Sequence, residues 1–282
     1  MKTITPIIGI SKIIDPYQTI ICGFDGVLSK GEDLLPDALK ALKGAKERQK
    51  DVIIFSNSFL RVWQMAEQFE KAEFDLHNLK AMITAGEILH YKLKNSQVLG
   101  KKYYNLGGTC SLSVFSSLPY VQTKELSEAD FVYIGDIHPQ KLTADAYEKE
   151  LQTAVAMHLP LVCVGTDIAS HLNGNVTLSA GGVAEQYAVM GGHIMTVSKT
   201  DNDMLSYVRE CITPKQKILF IGDGYASDMK AASLLGCDML LVAKGVHMHA
   251  LGEGYIPDVQ KARDLAVAYN LYPDYLISEL RF

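Results

Sequence analysis

Length, composition and charge limit the kind of protein this chain can be. It has 282 residues, 48% of them apolar and 21% charged, which is typical of a globular protein with one large core or two smaller ones. The net charge of −5 and a pI of about 5.9 argue against nucleic acid or an anionic membrane as a partner, because no long basic face is available to neutralise phosphates.

The first quarter of the chain alternates strands with helices. Strands are predicted at 19–23 and 51–56, and helices at 36–49 and 58–72, from β-branched runs and from helical apolar spacing. The second helix is expected to bury one apolar face, made of Phe59, Val62, Trp63, Ala66 and Phe69. This βαβα order predicts a parallel sheet with right-handed connections.

The middle of the chain indicates a second unit inserted into the first. Its predicted elements are strands at 129–136 and 160–167, a helix at 142–158, and a glycine-rich turn at 179–182 that leads into a helix at 183–192. We therefore predict an inserted α/β domain at 98–192 and an outer domain built from 1–97 and 193–282.

The last third returns to the alternation of the first. Its predicted elements are a helix at 201–211, a strand at 217–224, a helix at 226–236 that ends at Gly236, and a strand at 238–245. We expect both ends of the chain to share one sheet. The tail from Pro257 predicts a helix packed on the core and a short amphipathic end, with a homo-oligomer contact as the alternative use of its apolar residues.

Cysteine use and the N-terminal stretch bear on location. The five cysteines are scattered and mostly lie in apolar runs, which favours reduced core thiols over a disulfide framework. The N-terminal apolar patch is interrupted by Pro6 and Gly9, unlike a signal peptide, and no apolar run approaches the roughly 18 residues of a transmembrane helix. We expect a cytoplasmic protein with no membrane partner.

Polar residues follow the predicted strands of the outer domain. The first strand leads into Asp25, the second ends at Ser56, Lys199 precedes a helix, and a later strand leads into Asp223, with Asp228 beyond it. Ligands of open parallel sheets bind at the carboxyl ends of strands. One hydroxyl, one ammonium and three carboxylates at that edge suit a Mg²⁺ ion and a phosphate group.

Each of these residues also has a structural interpretation. Asp223 lies between two glycines, where a carboxylate can approach a hard cation, but the same arrangement is typical of a turn. Asp228 is placed to cap the following helix, and a single lysine such as Lys199 is most often solvated. Ser56 can donate to a phosphoryl oxygen beside the exposed amides of the next helix, yet alone it carries little information.

The order and spacing of these motifs resemble the haloacid dehalogenase (HAD) superfamily of phosphotransferring hydrolases. The matching pattern is a strand with x-x-D-G-V, a strand with S-N-S, a lysine after a long insertion, and a strand with G-D-x-x-x-x-D. The inserted block resembles the large α/β cap of subfamily IIA, which includes p-nitrophenylphosphatase-like and nucleotidase-like enzymes. The resemblance implies an α/β fold with a Rossmann-like parallel-sheet core and an inserted α/β cap domain.

The resemblance also implies catalytic roles, and one of them lacks its residue. The aspartate that attacks phosphorus in the family falls on Gly23, while the general acid and base falls on Asp25. The family's motif-two hydroxyl falls on Ser56 and its lysine on Lys199, and both, with Asn57, are expected to bind the phosphoryl group. Counting Asp25 as the nucleophile instead puts the turn glycine on Leu28, which such a turn cannot accept.

A Mg²⁺ ion is the cofactor that the resemblance implies. Its expected ligands here are Asp25, Asp223 and Asp228, and we expect weaker binding because the missing nucleophile is also a metal ligand in the family. The family's Gly-Lys-Pro motif is Ser-Lys-Thr here, around Lys199. The family's Asn-Pro-Asp-like loop is Gly-Thr-Asp here, which leaves Asp167 as a predicted substrate contact from the cap.

Three functional hypotheses follow. The first is a Mg²⁺-associated phosphate-monoester phosphatase scaffold with weak or absent turnover, a pseudoenzyme candidate that binds a small phosphorylated metabolite. The second is a working phosphatase whose nucleophile is replaced by another group, such as Glu32, Asp33 or a bound hydroxide, or was altered from aspartate. The third is a protein-interaction module without catalysis. Loss of a covalent nucleophile commonly costs about 10⁴- to 10⁶-fold in turnover, roughly 5–8 kcal/mol of barrier.

Overall fold

The computed structural model describes residues 3–31, 33–95, 99–172, 175–252, 254 and 256–282. Over this part of the chain, two parallel sheets carry the fold, together with two short antiparallel hairpins. No helix in the described ranges is both long and apolar enough to cross a membrane.

The larger sheet joins the two ends of the chain. Among the described residues it has seven strands, and every neighbouring pair is parallel. In order across the sheet they are β1 (Thr5–Pro6), β16 (Tyr275–Ile277), β15 (Asp238–Val242), β14 (Ile218–Gly222), β2 (Thr19–Cys22), β5 (Asp51–Ser56) and β6 (Ala81–Thr84). The prediction that both ends share one sheet is confirmed, and β2 lies at its centre.

The second sheet is built from the middle of the chain. Its strands, five in the described ranges and all parallel, are in order β13 (Ile194–Val197), β10 (Leu161–Val164), β9 (Phe131–Ile134), β7 (Lys102–Asn105) and β8 (Val121–Thr123). Strand β13 lies beyond residue 192 and pairs in this sheet, although we had placed it in the outer domain. The division of the chain at 98 and 192 stays a prediction.

Two hairpins and the helices complete the described structure. The hairpins are β3 (Ser29–Lys30) with β4 (Asp33–Leu34) and β11 (Ala169–Leu172) with β12 (Asn175–Leu178). The helices are α1 (Pro36–Glu47), α2 (Val62–Lys71), α3 (Ala85–Asn95), α4 (Glu148–Ala156), α5 (Ala180–Val189), α6 (Asn202–Cys211), α7 (Lys230–Leu235), α8 (Met248–Leu251) and α9 (Val259–Tyr269).

Local sequence accounts for several helix ends. Pro36 occupies the first turn of α1, where its missing N–H is no loss. As predicted, α7 ends at Gly236, which has a φ of 69°. The carboxylate of Asp258 caps α9 by accepting from the amides of Gln260 and Lys261.

Alternation along the strands separates the two faces of the larger sheet. Ile20 and Cys22 lie in the apolar layer that includes α1 and α2, whereas Ile21 lies in the layer that includes α6 and α7. One face of the second sheet packs on α4 and α5. Its other face packs on α3 and belongs to the same apolar cluster as Ile21, so the two sheets share core residues.

The buried face of α2 differs from the predicted one. The structure buries Met65 and Phe69 completely and leaves Trp63 51% exposed. Phe69 packs edge-on against Phe24 beside β2, with ring centroids 5.9 Å apart. Contact with this neighbour, which only the tertiary structure provides, selects the buried face, so the prediction for Trp63 was wrong.

Candidate active site

Polar side chains gather where the carboxyl ends of the two parallel sheets meet. Asp25 follows β2, Ser56 ends β5 and Asp223 follows β14, all in the larger sheet. Asp167 follows β10 and Lys199 follows β13, both in the second sheet. The strand-end residues singled out in the sequence therefore come together from distant parts of the chain.

A buried ion pair connects the second sheet to the larger one. The ammonium of Lys199 lies 2.6 Å from Oδ1 of Asp228, and the two side chains are only 6% and 2% exposed. Oδ2 of Asp228 accepts from the amides of Asp223 and Gly224, at 3.0 and 3.1 Å. Burial alone would lower the pKa of Lys199, but the charges of Asp228 and Asp167 outweigh it and the pKa is raised. Lys199 is therefore a fixed, buried cation.

A five-residue π-helical turn positions Asp228. The turn, Tyr225–Met229, precedes α7 and buries Asp228 beneath the end of β14. Such turns are rare and occur often at functional sites. The sequence predicted a regular helix over 226–236, so the wider turn that directs this carboxylate back toward β14 was not foreseen.

Asp223 is held in a glycine-lined recess. Its Oδ2 accepts from the amide of Val246 at 2.7 Å. A β-carbon at Gly26 or Gly245 would overlap its carboxylate. Burial raises the pKa of Asp223 well above its ordinary value, and the charge of Asp228 adds to the rise.

Asp25 lies at the open side of the site. Its side chain is exposed, and Ser29 donates to its Oδ1 at 3.4 Å. Although it is accessible, the surrounding protein limits its hydration, and this desolvation raises its pKa. Lys199 opposes the rise and Asp167 adds to it.

Asn57 bridges the two sheets beside Ser56. Its Oδ1 accepts from the backbone amide of Lys199, and its Nδ2 donates to Oδ2 of Asp167, both at 2.7 Å. Ser56 is buried and accepts from the amide of Ser58 at 3.0 Å, which leaves its hydroxyl hydrogen for another acceptor. The phosphate-binding roles of Ser56, Asn57 and Lys199 stay predictions, and the sequence did not indicate that Asn57 joins the sheets.

Gly23 leaves room for a β-carbon. Its amide donates to the carbonyl of Ile221 at 2.8 Å, which keeps it in the sheet. A β-carbon at Gly23 would lie 3.4 Å from Asp228 Oδ1, from the Ile221 carbonyl oxygen and from Val27 Cγ2. These are ordinary van der Waals distances, so steric crowding does not account for glycine at this position.

The thiol of Cys22, next to Gly23, is a poor substitute nucleophile. Burial raises the pKa of the Cys22 thiol far above neutrality, so the thiol stays protonated. Asp33 is exposed on β4. Glu32, which the sequence also suggested, lies outside the described residues.

The carboxylates of the site have the donor atoms that a divalent ion prefers, but few of them are grouped closely enough to bind one. Of the residues described, no three His, Cys, Asp or Glu side chains are grouped closely enough to hold a metal ion. Asp228 already receives three protein donors, whereas Asp25 and Asp223 each have an oxygen with no partner among the described contacts. Hard oxygen donors and an excess of carboxylates over the single ammonium fit Mg²⁺ rather than a softer metal.

Two family profiles match the chain, one over its first part and one over its last part. The profile of haloacid dehalogenase-like hydrolases matches residues 20–118, which include Asp25 and Ser56. A HAD-hydrolase-like profile matches residues 197–269, which include Lys199 and Asp223. The chain belongs to the haloacid dehalogenase-like hydrolases. No curated protein matches it.

Solved structures share the fold of this HAD-like hydrolase. A haloacid dehalogenase-like hydrolase from Brucella suis has a TM-score of 0.79 at 23% identity, covering 96% of this chain and 98% of its own. The p-nitrophenyl phosphatase from Archaeoglobus fulgidus has a TM-score of 0.68 at 17% identity, with coverages of 93% and 96%. The glycerol phosphate phosphatase from Mycobacterium tuberculosis, solved with magnesium, has a TM-score of 0.64 at 15% identity, with coverages of 94% and 75%. The predicted family and the α/β fold, a Rossmann-like core with a cap, are confirmed.

Two residues of the HAD-like site were missed in the sequence. Gly245 and Val246 follow β15 and form one wall of the recess around Asp223. The signal was present, because Gly245, like Gly26, lies three or four residues after the end of a buried apolar strand.

Replacing Gly26 by alanine is expected to destabilise this hydrolase by about 2–4 kcal/mol. The backbone φ of 74° costs an L-residue roughly 1–2 kcal/mol, and displacement of the Asp223 carboxylate adds roughly 1–2 kcal/mol. The free energy of unfolding in urea measures the loss. Gly236→Ala is the matched control, since its φ is 69° with open space around it, and it should lose only the backbone part. Equal losses of unfolding free energy in the two variants would contradict the close packing of Gly26 against the Asp223 carboxylate.

Replacing Asp223 by asparagine is expected to stabilise the metal-free protein at neutral pH, because burial and the charge of Asp228 make the ionised carboxylate unfavourable and raise its pKa. Because the folded-state pKa is raised, the cost of Asp223 to stability is full above that pKa, shrinks as the pH falls below it, and vanishes below the ordinary pKa of the unfolded chain. The difference between the variant and the natural chain should therefore shrink on acidification.

Urea unfolding at several pH values tests this expectation. Glu67→Gln, on the exposed side of α2, removes the same charge and should change stability by less than about 0.5 kcal/mol. A loss of stability in Asp223→Asn at neutral pH would show that its carboxylate is favourable as an anion.

Proposed function

We propose that this HAD-like hydrolase binds the phosphoryl group of a small phosphorylated metabolite, and that its own hydrolysis of phosphate monoesters is slow or absent. One observation carries the proposal. The buried Lys199, Ser56 and the carboxylates Asp25 and Asp223 meet at one edge. The position to which the family resemblance assigns the attacking aspartate is Gly23, where a β-carbon has room.

The proposed roles of the site residues follow from their charges. Lys199 and the Ser56 hydroxyl are the groups suited to phosphoryl oxygens. The carboxylates outnumber the single ammonium, so a phosphate dianion needs a further cation at the site. The backbone carbonyl of Asp25 and the carboxylate of Asp223 are proposed to hold Mg²⁺, while Asp228 holds Lys199 in place through the buried ion pair. The ion would supply positive charge for the phosphoryl oxygens and would be held less well than with a further carboxylate at Gly23.

Asp25 is proposed to be the proton-transfer group. Its raised pKa brings the carboxyl closer to the range in which it can donate a proton to a leaving oxygen, and its exposure leaves it accessible to a ligand. Without an attacking oxygen on Gly23, this acid has no covalent step to assist. Positioning and charge alone leave a small residual rate.

The structural relatives support the phosphate-ester class. They include proteins named as a p-nitrophenyl phosphatase, a possible sugar phosphatase and a glycerol phosphate phosphatase in complex with magnesium. Their names favour a small phosphorylated partner. We also propose a cytoplasmic location, in keeping with the composition.

Phosphate release and phosphate binding, measured on the same preparation, test this function. Inorganic phosphate with Mg²⁺ is expected to raise the melting temperature, while release from a panel of phosphate esters stays near background. Turnover at ordinary phosphatase rates would mean that another group replaces the nucleophile. No shift with phosphate or vanadate would favour a protein-interaction module.

A further inference from the structure

The cap contributes one carboxylate to the phosphate site, that of Asp167. Its Oδ2 accepts from Asn57 Nδ2 at 2.7 Å, and its charge raises the pKa of Lys199, Asp25 and Asp223. The carboxylate of Asp167 therefore lies close enough to the residues proposed to hold the phosphoryl group to influence their charges.

The loop that carries Asp167 is held from two sides. On one side, the backbone carbonyl of Asp167 accepts from the Ser179 hydroxyl, and Gly181 in α5 packs so closely that a β-carbon there would overlap that carbonyl. On the other side, Gly165 has a φ of 76°, and a β-carbon there would lie 3.0 Å from the carbonyl oxygen of Asn57. The carboxylate is thus held at the junction of the sheets rather than carried on a free surface loop.

One oxygen of Asp167 remains for a ligand. The described contacts give Oδ2 its partner in Asn57 and give Oδ1 none, and the side chain is half-buried. A carboxylate in this setting accepts hydrogen bonds and attracts cations, and it repels other anions strongly because the protein around it lowers the dielectric.

We propose that Asp167 selects the organic part of the ligand, a proposal that rests on phosphate binding at this site. The preferred ligands are phosphate monoesters of alcohols that carry a hydroxyl or amino group near the ester. Monoesters that carry a carboxylate or a second phosphate near the ester are rejected, because this negative charge is repelled by the carboxylate of Asp167.

Two matched ligand pairs test the selection by calorimetry at one fixed Mg²⁺ concentration. Glycerol 3-phosphate carries a hydroxymethyl group where 3-phosphoglycerate carries a carboxylate. O-phosphoethanolamine carries an aminomethyl group, charged as an ammonium, where phosphoglycolate carries a carboxylate. The natural chain is expected to bind the first member of each pair about tenfold more tightly or better, and Asp167→Asn to reduce the ratio to about threefold or less. Asparagine keeps an acceptor for Asn57.

The control removes a cap charge elsewhere. Glu185→Gln, on the exposed side of α5, should leave both ratios unchanged. Added salt should narrow the ratios of the natural chain, which tests the charge effect without any variant.

The outcomes separate the two proposals. Suppose that inorganic phosphate binds. Equal affinities for the two esters of each pair, or affinity ratios that Asp167→Asn leaves unchanged, would then overturn the selection by Asp167 but not the proposed function. Failure of inorganic phosphate and of all four esters to bind would overturn the proposed function, and the selection with it.

Discussion

Replacing Gly23 by aspartate is expected to raise Mg²⁺-dependent phosphate release by about a thousandfold or more, because removal of a catalytic nucleophile commonly costs 10⁴- to 10⁶-fold. The β-carbon has room at 3.4 Å from its neighbours, so the backbone does not have to move. The new carboxylate would stand beside Lys199 and Asp228, where it can both attack phosphorus and hold the metal.

The matched control is Gly23→Asn, which has the same shape and no attacking oxygen anion. Both variants and the natural chain should be assayed side by side on the same esters. We expect the asparagine variant to stay at the level of the natural chain. Background rates in the aspartate variant as well would show that more than the nucleophile is missing from the site.

The same replacement should make stability depend on the metal. An aspartate at position 23 adds a negative charge next to the buried Asp228, so the melting temperature should fall in the absence of Mg²⁺. Added Mg²⁺ should recover it, since the ion binds only the folded state. A melting temperature that does not respond to Mg²⁺ would argue against a metal at this edge.

Replacing Lys199 by methionine is expected to destabilise the protein by about 3–5 kcal/mol, which is typical when one partner of a buried ion pair is removed. Asp228 would keep its two amide donors but lose the ammonium 2.6 Å away, and it would remain a buried, less compensated charge. The free energy of unfolding in urea measures the effect.

Two controls make this result specific to the buried pair. Lys40→Met removes a partner of the Lys40–Asp37 pair, whose side chains are 73% and 64% exposed, and should cost less than about 1 kcal/mol. Adding Asp228→Asn to Lys199→Met should restore part of the lost stability, because no unpaired charge then remains. A loss below about 1 kcal/mol for Lys199→Met would mean that water or another cation compensates Asp228.

Together these experiments separate structure from chemistry at the site. The pair of Lys199 and Asp228 is expected to serve stability whether or not the protein turns over substrate. Gly23 is expected to affect rate and metal binding, and Asp167 the choice of ligand. A protein that keeps the Lys199–Asp228 pair and lacks the nucleophile can retain phosphate binding without ordinary hydrolysis.

Much of the larger sheet follows from local sequence. The buried β-branched runs that become β2, β5 and β14 were identifiable because strands covered on both faces are continuously apolar. The residues at or just beyond their carboxyl ends, Asp25, Ser56 and Asp223, were identifiable for the same reason, since parallel strands end at a common edge.

Other features had no local signal. The exposure of Trp63 and burial of Met65 depend on what packs against α2. The π-helical turn that presents Asp228 has the same apolar spacing as an ordinary helix. Strand β13 lies between two predicted units, and only its pairing with β10 places it in the second sheet.

The sequence by itself determined the family, the parallel fold and the absence of a carboxylate at Gly23, because these depend on residue type and on order along the chain. Only the tertiary structure decided that Asn57 joins Lys199 to Asp167, and that Gly26 and Gly245 enclose Asp223. Those contacts join residues far apart in the chain, and their geometry is set by the packing of two sheets, which no local pattern records.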